Sequence, residues 1–174
     1  MSTNPAFDFS VNKDNNTITV KREFAAERSL VWDAYTQSEI LDQWWAPRPW
    51  KARTKTMDFR EGGYWHYAMV GPEGEEHWAM VQYKTIRAQE QFTGLDAFAD
   101  ADGNVNKDMP QSEWEATFTD KGQATLVELH ISYDDLAQLE ATIQMGFKEG
   151  LGMAMEGLDE LLASLVHGKQ DGLR

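Results

Sequence analysis

The sequence predicts a single α+β domain in which one antiparallel sheet is followed by one long helix. Three observations carry this. Strand-type patterns recur in seven segments between residues 17 and 132, and turns bearing Gly, Asn or Asp stand at four of the five junctions among the last six. Residues 134–166 then hold apolar side chains at spacings of three and four. At 174 residues the chain suits one domain with a substantial core, and no linker or repeat divides it.

Residues 1–16 are polar and aperiodic apart from Phe7 and Phe9, which predicts a flexible lead-in. TITVKREF (17–24) alternates, with Ile18, Val20, Arg22 and Phe24 on one face. In AAERSLVWDAYT (25–36) Leu30, Val31, Ala34 and Tyr35 fall at helical spacing. Ser38 is placed to cap a second short helix from Glu39 to Trp44, which Pro47 ends. The following loop, WWAPRPW, crowds Trp44, Trp45 and Trp50 around two prolines that forbid a helix or central strand.

The strands of the meander are 51–59, 63–70, 75–87, 90–98, 113–119 and 123–132, and their short connections imply antiparallel pairing. Asp135 and Gln138 form a capping box for the last helix. Gly146, Gly150, Gly152 and Gly157 lie inside it. At about 1 kcal/mol each they forgo roughly 4 kcal/mol of helix propensity, so the small residues let the sheet come close or leave room. Residues 167–174 are expected to fray.

The net charge of −13, from 29 acidic and 16 basic side chains, argues against nucleic acid and anionic membrane surfaces. The absence of cysteine excludes disulfides and thiolate chemistry. Neither a secretory leader pattern nor a run of about 18 apolar residues is present, so a cytoplasmic location is expected.

His66 and His77 carry the sharpest geometric question. If 71–74 is a tight hairpin pairing Val70 with Glu75, His66 faces Ala79 and His77 faces Ala68. The histidines then become diagonal neighbours on one face, shared with Tyr64, Ala68, Val81 and Tyr83, and the apolar pattern favours that face as inner. No third ligand at metal spacing accompanies them, so no metal or cofactor is expected. FADADGNVNKDM (98–109) resembles a calcium loop but has Phe98 and Met109 where acids are required, and reads as an Asp-Gly turn. Nucleophile elbows and phosphate loops are missing, and no catalytic residue is assigned. Arg22 is a candidate partner for Asp58.

The order of elements, with REFAAERSLVWDAYT, WWAPRPW, MDFREGGYWHYAMVGPEGEEHW and MGFKEGL in sequence, resembles the START-like (SRPBCC) superfamily. Within it the chain is similar to the branch of the C-terminal domain of the heat-shock-protein-90 ATPase activator. The resemblance covers residues 17–166. It implies a helix-grip fold, a curved seven-strand sheet wrapped around the C-terminal helix, with a cavity between them for an apolar or amphipathic small molecule. Trp45 and Trp50 then form an aromatic rim. Trp114, Phe118, Phe147 and Met153 supply apolar contact, Gly150 leaves space, and His66, His77 or Tyr83 orient a polar head. Two other readings stay open: a chaperone-associated interaction module, and a cyclase- or hydrolase-type enzyme using the histidines.

Overall fold

The computed structural model describes residues 7–171, with side chains through Val166. The expectations for residues 1–6 and 172–174 fall outside the described residues. The chain folds as an open, fully antiparallel eight-stranded sheet in the order β1-β2-β8-β7-β6-β5-β4-β3. β1 (Asp8–Asn12) and β2 (Thr17–Phe24) precede α1 (Arg28–Thr36) and α2 (Ser38–Trp44). The meander is β3 (Lys51–Met57), β4 (Tyr64–Val70), β5 (Glu76–Arg87), β6 (Gln91–Phe98), β7 (Gln111–Asp120) and β8 (Thr125–Tyr133). α3 (Leu136–Gln144) and α4 (Phe147–Asp171) close the domain.

Alternation decides the faces. Ile18, Val20 and Phe24 of β2, Phe118 of β7 and Val127, Leu129 and Ile131 of β8 point to one side and are fully buried or nearly so. Leu158 and Leu162 of α4 and Val31 of α1 cover them. Each such aliphatic side chain contributes about 2 kcal/mol of burial.

Expectations are corrected at several elements. The sheet has eight strands, not seven, because the end of the supposed lead-in is β1, paired from Asp8↔Lys21 to Asn12↔Thr17. Its turn is built by Asn and Asp chemistry: Asn12 Oδ1 accepts from Asp14 N at 2.9 Å, and Asn16 takes φ of 59°. Ser38 is the first residue of α2 rather than its cap. Asp135 does cap α3, accepting from Gln138 N at 2.8 Å, but the Gln138 side chain reaches Gln111 N instead of closing the box.

The last helix is two helices. Gly146, at φ of +85°, ends α3 in the left-handed conformation that glycine adopts without steric cost, and its N–H donates to Ile143 O at 3.0 Å. The apolar spacing continues on both sides of the break, which is why the pattern reads as one helix. Arg22 is buried under α4 and lies 3.7 Å from Asp159, while Asp58 pairs with Arg60 at 2.7 Å.

Candidate functional site

The three tryptophans of the Pro-rich loop have separate tasks. Trp44 is buried, donates from Nε1 to Ala34 O at 2.8 Å and meets the Tyr35 ring edge-on at 4.8 Å. Trp45 turns to the sheet, donating from Nε1 to the Tyr67 hydroxyl at 2.9 Å. Trp50 sits at the margin, its ring 5.2 Å from that of His77. The loop is held by Trp50 N donating to Pro47 O at 2.8 Å, and the Arg48–Pro49 bond is cis.

Between this loop, the sheet and the α3–α4 break lies a cavity of about 400 Å³. Trp45, Trp50, Met69, Ala79, Phe98, Trp114, Phe147 and Leu151 give it apolar walls, and Met145, Gly146 and Gly150 form the helical side. A Cβ at Gly150 would meet only Pro47 Cγ at 3.7 Å, an ordinary contact, so this glycine keeps open space rather than a tight approach. A broader groove of about 860 Å³ along β1, β2 and His130 is lined chiefly by exposed polar side chains and offers no such enclosure.

The polar end of the cavity comes from one row across the sheet. Trp65 opposes Val81, Val81 opposes Asp96, Asp96 opposes Ser112 and Ser112 opposes Tyr133. Asp96, Ser112 and Tyr133 all line the cavity, beside Tyr67 and Thr142. Trp45 donates to the Tyr67 oxygen and Trp114 Nε1 donates to Ser112 Oγ at 2.8 Å, so both hydroxyls keep a proton to offer. Among the described residues no hydrogen bond or ion pair reaches the Asp96 carboxyl.

Asp96 is partly buried, and the surface it retains faces the cavity. Burial penalises its charged form and pushes its pKa up from 3.8 to about 7. Burial likewise raises the Tyr133 hydroxyl to about 12, with the Asp96 charge adding to the rise and Thr142 and Ser112 opposing it. Tyr67 is raised well above its usual range, again by burial first and Asp96 second. Both tyrosines are therefore neutral donors at ordinary pH.

Of the ten residues singled out from sequence, Trp45, Trp50, His77, Trp114, Phe147 and Gly150 are brought together on this cavity. Four are not. The β4–β5 loop is one residue longer than a tight hairpin: Gly71 N donates to Glu75 O at 2.8 Å, and Val70 opposes Glu76. That slip sends His66 to the outer face, opposite Met80, where its Nε2 lies 2.9 Å from Asp100 O; His77 stays inside. The two-histidine arrangement is therefore not assembled. Tyr83 is buried deeper, 4.8 Å from the Phe59 ring, and Phe118 belongs to the core beside Trp32 at 5.1 Å. Met153 is 47% exposed, because α4 turns Leu151 and Ala154 inward instead.

Sequence reasoning missed Asp96, Tyr67, Ser112, Tyr133 and Thr142. A signal existed for Asp96: it occupies the buried phase of β6, in step with Phe92, Gly94 and Phe98.

The sequence pattern of the family described as "Activator of Hsp90 ATPase homolog 1-like protein" matches residues 25–163. This chain belongs to that family. The matched span takes in the tryptophan loop, the meander and most of α4, and so every residue of the cavity. Protein Ms6760 from Mycobacterium smegmatis is similar in structure, with a TM-score of 0.83, 32% identity, and 91% of this chain and 96% of that one covered. A protein from Arthrobacter aurescens, solved by solution NMR, has a TM-score of 0.85, 25% identity, and 90% and 91% covered. CalU16 from Micromonospora echinospora, at 20% identity and a TM-score of 0.59 over 93% of this chain and 77% of that one, shares the fold. No curated protein matches the chain. None of the described helices is long and apolar enough to cross a membrane.

Proposed function

We propose that this member of the activator-like family binds an apolar or amphipathic small molecule between the sheet and α3–α4. The supporting observation is the shape and chemistry of the cavity. About 400 Å³ falls in the range of small-molecule sites, its walls are largely aromatic, and Asp96, Ser112 and Tyr133 stand in one row across the sheet. A ligand's apolar body would displace water from Trp45, Trp50, Trp114 and Phe147, while Tyr67, Tyr133, Ser112 and Asp96 would orient its head.

Because three tryptophans stand in the wall, intrinsic fluorescence reports occupancy. Titration with planar aromatics and alkyl amphiphiles should give a saturable change with at least one of them, and Gly150→Leu should suppress it. A flat response to every compound tested would dismiss the reading.

The family match favours a second reading, an interaction with the heat-shock-protein-90 chaperone. Purified chaperone should then retain the protein and turn over ATP faster in its presence. Unchanged turnover would remove this alternative.

A further inference from the structure

Three residues border both the main cavity and a small inner chamber of about 40 Å³: Trp45, Asp96 and Trp114. They stand between the two spaces, at a position here called the throat. The two indoles lie 6.0 Å apart at an interplanar angle of 55°, and Asp96 reaches the throat from β6. The throat thus joins an unpartnered carboxyl to two aromatic rings.

That combination selects a charge. Asp, Tyr and His are the only ionisable residue types on the cavity, and no Lys or Arg lines it among the described residues. A carboxyl taken out of water without a cation is costly, and the ligand is what can bring one. Aromatic rings close by add attraction for a cation. The net charge of −13 also steers cations toward the protein and anions away.

Building on the cavity-binding reading, we propose that the ligand is a protonated amine on a planar or aromatic body, its ammonium paired with Asp96 at the Trp45–Trp114 throat. A neutral alcohol of the same shape fits the walls but leaves the carboxyl unpaired. A carboxylate of that shape meets like charge.

Isothermal titration at about pH 8 with naphthylethylamine, naphthylethanol and naphthylacetate tests this. The amine should bind about tenfold or more tighter than the alcohol, a ratio typical of one good charge pair, and the acetate should not bind. Asp96→Asn should remove the amine's advantage over the alcohol.

Wild-type protein supplies an independent arm should that variant fold poorly. The amine stays protonated between about pH 5.5 and about pH 8.5 while Asp96 ionises, so the amine-to-alcohol ratio should rise about tenfold or more. Among the described residues, the other ionisable groups on the cavity are Tyr67 from β4, Tyr133 from β8 and His77 from β5, and α3, α4 and the tryptophan loop contribute none. His77→Gln should show the same rise.

Equal affinities for amine and alcohol, or a pH-independent ratio, would overturn the amine proposal and leave the cavity reading intact. Failure of all three probes to bind would overturn the amine proposal, and the cavity reading would fall with it only if the alkyl amphiphiles failed as well.

Discussion

Asp96→Asn should stabilise the empty protein, and the gain should depend on pH in a defined way. Burial raises the carboxyl from 3.8 to about 7. At about 1.4 kcal/mol per unit, the ionised carboxylate costs the fold about 4 kcal/mol. The sign follows from proton counting. Between about pH 4 and about pH 7 the folded state holds a proton that the unfolded chain has released, so stability falls as pH rises through that window. Below it both states are protonated and nothing is lost; above it the full cost applies. Tyr67 and Tyr133 remain neutral throughout, and His77 is common to wild type and variant. Urea unfolding of the two proteins, in steps from about pH 4 to about pH 8, isolates the difference. The variant should match wild type at the acid end and exceed it by several kcal/mol at the alkaline end, about 10 °C in Tm for a domain of this size. Parallel curves with a constant offset would refute the argument, since Asp96 would then be solvated like a surface acid.

Gly150→Leu should keep the fold, because its Cβ finds only Pro47 Cγ at 3.7 Å, yet fill the cavity; far-ultraviolet circular dichroism unchanged with ligand affinity lost is the expected pair of results. Gly94→Ala should destabilise by about 1–3 kcal/mol in urea unfolding, since a Cβ there would sit 2.9 Å from Gln82 O and 3.0 Å from Val81 Cγ1. A variant as stable as wild type would show that β5 and β6 can separate at no cost. Asp100→Ala should accelerate hydrogen exchange at the Asp102 and Asn104 amides, which its carboxylate accepts at 3.0 and 2.9 Å, without altering binding in the cavity on the opposite face.

The architecture was legible because it rests on period. Alternation in 17–24 and the meander and a repeat of three and four at the end each reflect burial of one face, and the order from β3 to β8 follows consecutive antiparallel connections, whereas the pairing of β2 with β8 joins segments far apart in the chain. What was not legible depends on single residues. Whether the loop after Val70 spans four positions or five is settled by one hydrogen bond, from Gly71 N to Glu75 O, and it moves His66 through the sheet. The helix break at Gly146 interrupts no pattern that composition records. β1 was hidden because its inward residues are few, Phe9 among them, which packs 6.0 Å from Phe147. For the site, Trp45 and Trp50 were legible as candidates because tryptophan in a Pro-rich loop serves a core edge, a partner or a pocket wall, and both border the cavity. Asp96 was passed over although its phase marked it, as Arg22 was marked by the same rule in β2. The two ended differently: Arg22 found Asp159, while Asp96 borders the cavity.

The central claim is that the cavity is occupied by a small molecule, and native mass spectrometry of the purified protein tests it most directly. The account predicts protein carrying an added small mass that is released on denaturation and is absent from Gly150→Leu prepared in parallel. Wild-type protein of bare mass, still bare after incubation with the aromatic and amphiphilic compounds, would contradict it.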